Sequence, residues 1–146
     1  MNIYSKLAYF FEKKHQEKLK NYFKKLKIKN FIDVGSYEGE FLKNLNQENL
    51  KEIIMFEPDP EKFNNLKSTF KNYSIHNLCI SSSVSKQKFS INKDKTTSTL
   101  SSVINKNHFL YKIKKNILKQ SYQKEIFINV EILDHFFKTK NLKIRF

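Results

Sequence analysis

Glycine is almost missing from this chain. Two occur in 146 residues, where average usage near ~7% would scatter about ten. Both fall in one segment, Phe31-Ile32-Asp33-Val34-Gly35-Ser36-Tyr37-Glu38-Gly39-Glu40. A chain this poor in glycine keeps it where another residue would fail, because glycine reaches positive φ and lets a ligand approach the backbone. Proline is equally scarce, and Pro58 and Pro60 close a second apolar segment, Ile53-Ile54-Met55-Phe56-Glu57-Pro58-Asp59-Pro60. Cysteine occurs once, at Cys79. That excludes an internal disulfide and suits the cytosol, so a cytoplasmic protein is expected. Cys79 lies in an apolar run and reads as a buried structural thiol rather than a nucleophile. With one cysteine and four scattered histidines, no metal-ligand spacing is present. No apolar run approaches the ~18–20 residues of a membrane span. Lys13, Lys14 and His15 interrupt the N-terminal apolar residues too early for a signal peptide.

Arginine is the other near-absence. The net charge is +14, yet of the 28 basic residues only Arg145 is arginine. Protein–DNA interfaces lean on arginine for bidentate base contacts. Asparagine, isoleucine and phenylalanine are abundant beside lysine and share its AT-rich codons. The charge therefore reads as compositional background, and no specific nucleic-acid partner is expected. A small basic α/β protein that contacts RNA or anionic surfaces through its lysines is the alternative reading.

What is present is an ordered alternation. The length fits one domain with a single core. Ile3, Leu7 and Phe10/Phe11, then Leu19, Tyr22/Phe23 and Leu26, recur at helical spacing over residues 3–27, with a polar stretch from Glu12 to Lys18 that allows a break. Residues 29–34 form an apolar run fit for a buried parallel strand. Phe41, Leu42 and Leu45 give one face of a short helix, and residues 51–57 a second strand. Asp59 can cap the next helix with Pro60 at its first position, and Phe63, Leu66 and Phe70 give its buried stripe. Ser74 to Ile80 reads as a third strand. The order β-α-β-α-β predicts a parallel sheet with right-handed crossovers. Beyond it the alternation stops. Ser81-Ser82-Ser83 is a turn, Val84 to Ile91 an edge strand or hairpin arm, and Lys93 to Ser102 a Ser/Thr-rich loop. Residues 107–119 read as a short helix or lid, Ile126 to Ile132 as a strand, and Leu133 to Lys138 as one or two helical turns.

The glycine pattern discriminates among nucleotide ligands. A dinucleotide fingerprint needs a second glycine two residues after the first, and that position is Tyr37. A P-loop needs Gly-Lys-Ser/Thr at the helix start, and here Gly39-Glu40-Phe41 carries a negative charge instead. The spacing Asp-x-Gly-x-x-x-Gly suits a nucleoside without phosphates, of which S-adenosylmethionine is the common one. Glu57 lies 22 residues after Gly35, where an acid at the tip of the second strand meets ribose hydroxyls. Asp33 would face the methionine amino group. Carboxylates suit a ligand that carries a sulfonium and an ammonium. The plainer alternative is that Gly35 only turns the chain while Asp33 and Glu57 cap helices.

These residues resemble the FkbM family of S-adenosylmethionine-dependent methyltransferases. The family's opening reads Val-Asp-Val-Gly-Ala-Asn-x-Gly-x-Phe, then Phe-Glu-Pro-x-Pro-x-x-Phe-x-x-Leu. This chain has Ile32-Asp33-Val34-Gly35-Ser36-Tyr37-Glu38-Gly39-Glu40-Phe41, and Phe56-Glu57-Pro58-Asp59-Pro60 followed by Phe63 and Leu66. Asn77 to Ser81 resembles the family's Asn-x-Ala-x-Ser stretch near the adenine, Thr97 to Ser102 its Ser-rich loop, and Glu131 to Phe136 its Thr-Leu-Asp-Asp-Phe. The similarity runs from about residue 30 onward. It implies a Rossmann-like class I methyltransferase sheet, with residues 1–28 a helical segment and 29–146 a partial methyltransferase domain. The implied cofactor is S-adenosyl-L-methionine, held by Asp33, Gly35, Ser36, Gly39, Glu57, Pro58 and Asn77. The implied reaction is O-methylation of a sugar or similar small-molecule or glycan hydroxyl, by in-line displacement and mostly by positioning. Two departures stand out. Ser36-Tyr37 replace Ala-Asn, and the chain stops at Phe146, before the family's strand Leu-Ile-Lys-Ile-Asp-Val-Glu-Gly. The resemblance therefore implies a C-terminally truncated domain, its first strand at a sheet edge and its substrate-side acid or base absent. An inactive fragment that keeps the cofactor half carries that same expectation further.

Overall fold

The computed structural model describes residues 29–45, 50–92, 99–100 and 122–141, with 10, 14, 17–19, 21–23 and 25 before them. The early positions are all helical. Phe23 meets Phe41 edge to face, 5.6 Å between ring centroids, so this segment packs on the helix after the glycine turn. The rest of the N-terminal segment lies outside the described residues.

Parallel strands cannot be joined by a tight turn and need a crossover. Here the crossovers are helices. Strand β1 (Asn30–Val34) leads through α1 (Glu40–Asn44) to β2 (Glu52–Phe56), and α2 (Pro60–Thr69) carries the chain on to β3 (Ser74–His76). The three strands lie in the order β1-β2-β3, all parallel, with Phe31 opposite Ile53 and Met55 opposite Ile75. The central strand β2 is buried on both faces from Ile53 to Phe56, as its unbroken apolar run requires. Ile53 and Met55 join Leu42, Leu66 and Ile75 on one side. Ile54 and Phe56 meet Phe136 on the other. Helix α2 starts where the sequence predicts: Asp59 Oδ1 accepts the Glu61 N–H at 3.0 Å, with Pro60 at the first helical position.

The strands after His76 form a second sheet. It comprises β4 (Cys79–Ile80), β5 (Ser85–Asn92), β6 (Thr99–Leu100) and β7 (Tyr122–Glu131), in the order β4-β7-β5-β6. The β4–β7 pair is parallel and the other two pairs are antiparallel. Its core is Phe89, Ile128 and Val130, with Cys79 packed against it. Burial pushes the Cys79 thiol up from its ordinary pKa, with the Glu57 carboxylate adding to the rise. Helix α3 (Leu133–Thr139) follows β7 and sets Phe136 edge-on to Phe56 at 4.9 Å and to His76 at 4.7 Å. Leu78, Ile80, Leu133 and Phe137 surround the same cluster, which thereby joins the two sheets. The chain is a mixed α/β protein with two small sheets and several helices.

Three elements differ from expectation. The strand expected over 74–80 is two strands in two sheets. It breaks at Asn77, whose side-chain amide donates to the carbonyls of Glu57 (2.8 Å) and Pro58 (3.1 Å). The segment expected as an edge strand or hairpin arm over 84–91 is a hairpin arm, antiparallel to the next strand, but an inner one with β7 on its other side, and the expected loop over 93–102 contributes the short strand β6. The last strand starts earlier, at Tyr122. Residues 107–119 and most of the Ser/Thr-rich loop lie outside the described residues. Strand β1 is an edge among the described residues, but it is not bare. Phe31 stacks on Phe41 at 5.7 Å and Ile32 packs against the Phe136 cluster, while Val34 is 52% exposed. No described helix is long and apolar enough to cross a membrane.

Candidate functional site

The loop after β1 is curled over the end of β2 by its own backbone. The N–H groups of Gly35 and Ser36 both donate to the Phe56 carbonyl, at 2.9 and 3.1 Å. Three of the loop's residues are left-handed: Gly35 (φ 78°), Tyr37 (φ 53°) and Gly39 (φ 70°). A glycine takes that conformation freely, whereas for other residues it is disfavoured by roughly 1–2 kcal/mol. The two glycines answer to different constraints. A β-carbon at Gly35 would meet nothing within 4 Å, so only its φ calls for glycine. A β-carbon at Gly39 would overlap Phe70 Cε2 and lie 3.0 Å from Leu66 Cδ2. Helix α2 therefore presses directly on the loop.

Tyr37 has compensation for its strained φ. Its N–H donates to Glu57 Oε2 at 2.7 Å, and the Lys62 ammonium sits 4.0 Å from its ring centroid. A cation over an aromatic ring is worth about 0.5–1 kcal/mol in water and about 2 when desolvated, enough to offset the backbone term. Glu57 is 5% exposed. Its other oxygen accepts the Asp59 N–H at 2.9 Å. Burial pushes its carboxyl above the ordinary range, opposed by those two N–H groups and by Lys62, while the Asp59 charge pushes the same way as burial. Asp59 is 3% exposed and lies 4.0 Å from Lys62 Nζ. Burial lowers the Lys62 pKa, against the pull of Asp59, Glu57, Glu38 and Glu61.

Asp33 stands apart from this network. Its Oδ2 is shielded from solvent and has no hydrogen-bond partner. The neighbouring Ser36 hydroxyl donates to the Asp33 backbone carbonyl at 3.1 Å. Burial raises the Asp33 carboxyl above its ordinary pKa, with Ser36 opposing. A buried carboxylate oxygen without a donor is a costly arrangement. It marks a place where an incoming N–H or cation gains more than it would in water.

All seven residues expected to hold a cofactor are described, and they meet at the carboxyl ends of β1 and β2. Asp33, Gly35, Ser36 and Gly39 make the loop, Glu57 and Pro58 the tip of β2, and Asn77 is tied to both of the latter. The sequence gives Asp59 only as a helix cap, not as a second buried acid beside Glu57, and leaves Lys62 unmarked. A lysine three residues after a helix-capping aspartate was the available signal. Among the described residues no group of three or more His, Cys, Asp or Glu side chains stands together as a metal set. The arrangement offers carboxylates to a ligand that carries hydrogen-bond donors and positive charge. Each Glu57 oxygen retains accepting capacity beyond the N–H it already holds. Comparison of this chain with known protein families, with curated proteins and with solved structures returns no match.

The raised carboxyls give the site a pH signature. Both Asp33 and Glu57 hold a proton more readily folded than unfolded, so their contribution to stability is fully present below the ordinary values of 3.8 and 4.5 and is lost as pH rises through the raised ones. Urea midpoints measured from acid toward neutral pH are expected to fall less steeply for Asp33→Asn than for the native chain. Equal slopes would show that Asp33 titrates as it does in the unfolded chain.

Proposed function

We propose that the protein binds S-adenosyl-L-methionine and is of methyltransferase ancestry, of the FkbM kind. The unpartnered Asp33 Oδ2 beside a left-handed glycine loop carries this reading. It is a site for an ammonium or N–H donor, and the Asp33–Gly39 loop leaves no glycine where a pyrophosphate would press on the backbone. The charge distribution supports it. Eight of the fourteen acidic residues, Asp33, Glu38, Glu40, Glu48, Glu52, Glu57, Asp59 and Glu61, fall in one stretch of a chain that is otherwise strongly basic. The parallel order β1-β2-β3, with the acids at the carboxyl ends of its strands, is the position at which open α/β sheets take ligands.

In this reading Asp33 takes the ligand's amino group and Glu57 accepts from the ribose hydroxyls with its remaining lone pairs. Gly35, Ser36 and Gly39 bring loop backbone close, and Pro58 and Asn77 stand toward the base. The cofactor, when bound, supplies a methyl group on a sulfonium. This chain's residues bind and orient it, and a sugar-type or similar hydroxyl is the acceptor that the resemblance implies.

Calorimetry with S-adenosylhomocysteine and with NAD is the test. The homocysteine compound is expected to bind and NAD to bind more weakly or not at all. Asp33→Asn should cost roughly 1.5–3 kcal/mol of that affinity, the range for a charged hydrogen-bond partner, without lowering the melting temperature. Tighter binding of NAD would overturn the assignment.

A further inference from the structure

We propose that Lys62 is a positioning residue for the ligand loop: held between the Asp59 carboxylate and the Tyr37 ring, it keeps Tyr37 in the left-handed turn from which its N–H reaches Glu57. The proposal rests on the reading of this loop as a ligand site, but its first readout is independent of any ligand.

Two local preferences oppose where Lys62 sits. Lysine is rarely buried unless paired, and here it is 5% exposed. It also lies in the first turn of α2, where the helix dipole favours anions over cations. A long, flexible side chain in that turn could reach water. Instead its ammonium stands 4.0 Å from Asp59 Oδ2 and 4.0 Å from the Tyr37 ring centroid. The contacts close a circuit. Lys62 holds the Tyr37 ring, the Tyr37 N–H holds Glu57 Oε2, Glu57 Oε1 holds the Asp59 N–H, and the Asp59 carboxylate holds Lys62. Ring and N–H belong to one residue, so fixing the ring restricts the strained peptide. With the cation gone, the Tyr37 ring loses the contact that α2 gives it at 4.0 Å, and the loop between Gly35 and Gly39 opens more often.

The test is amide hydrogen exchange at position 37, read by NMR on the full chain, beside calorimetry with S-adenosylhomocysteine. Lys62→Met keeps the length and removes the charge. Tyr37 exchange is expected to speed up roughly thirtyfold, the loss expected of a desolvated cation–aromatic contact, and affinity to fall by a similar factor. The melting temperature should fall as well, since the buried Asp59 carboxylate loses its cation. Lys62→Arg should restore exchange and affinity to within about threefold, because a guanidinium also pairs with carboxylate and stacks on a ring. Tyr37→Leu should speed exchange to the same extent, and the double variant should add nothing further, as two residues in one contact are non-additive. Unchanged exchange in Lys62→Met, or Lys62→Arg as fast as Lys62→Met, overturns the proposal. Should Lys62→Met fail to fold, Tyr37→Leu decides alone, with unchanged exchange at position 37 overturning it. If the native chain takes up no S-adenosylhomocysteine while exchange behaves as expected, Lys62 keeps its role and the ligand assignment falls. If the ligand binds and neither readout moves, the ligand assignment stands and the role of Lys62 falls.

Discussion

Gly39→Ala is expected to lower the melting temperature by roughly 10 °C, taking about 2–4 °C per kcal/mol for a chain near this length, while Gly35→Ala lowers it by only a few degrees. Both substitutions put a side chain at positive φ, which is disfavoured by roughly 1–2 kcal/mol. Only the one at Gly39 also drives a β-carbon into Phe70. Phe70 has little room to withdraw. It closes α2 with its N–H bonded to the Leu66 carbonyl, stacks on Tyr73 at 5.7 Å, and packs against the Leu42–Met55–Leu66 core. Overpacking of that kind costs about 1–3 kcal/mol. Together the two terms take a large part of the ~5–15 kcal/mol that holds a whole domain. Thermal melts followed by circular dichroism compare the two variants directly. Equal shifts would show that Phe70 gives way and that only backbone strain matters at both positions.

Glu57→Ala is expected to be the most damaging change of a polar side chain. It removes the acceptor for two N–H groups, those of Tyr37 and Asp59. A buried donor left unpaired costs about 1–3 kcal/mol, so two of them cost about 2–6. Glu57→Gln keeps one accepting oxygen and turns an amide NH₂ toward the other donor, and should fall between the native chain and alanine. Urea unfolding gives the order. The midpoint should drop from native to glutamine to alanine, with the slope unchanged if the folded state stays intact. Alanine and native midpoints that coincide would mean that water satisfies both amides and that Glu57 does not organise the loop.

These two positions bear on how far the sequence can be read. The scarcity of glycine and proline marked β1, the loop, β2 and the start of α2, because a nearly glycine-free chain leaves few places for a left-handed turn. The apolar periodicity of Phe63, Leu66 and Phe70 gave the inner face of α2 for the same local reason. The sequence could not show why Gly39 must be glycine, since Phe70 is 31 residues away and meets it only after α2 folds back. The split at Asn77 was hidden because Ser74 to Ile80 is strand-like throughout. The departure into a second sheet is set by an asparagine reaching back to Glu57 and Pro58. The inner place of β5 was hidden because its partner β7 begins thirty residues beyond its end. Glu57 was legible as an acid at a strand tip. That both its oxygens would hold loop backbone depends on Tyr37 adopting a conformation that its residue type disfavours.

The pairing of β5 with β7 has a consequence for how the chain is made. Ser85 faces Val130 and Ile91 faces Lys124, so the longest ladder joins residues far apart in sequence. Contacts of that separation form late. During synthesis at about 5–20 residues per second, β5 waits roughly 2–9 seconds for its partner to emerge, while β1 to β3 already have the Leu42–Leu66–Ile75 side of their core and wait only for Phe136 on the other. A waiting strand with open amides invites pairing with the wrong chain. Lys86 and Lys88 lie exposed on the face of β5 opposite Phe89. Like charges on an open strand disfavour its pairing with another copy of itself, so these two lysines count for most before β7 has emerged.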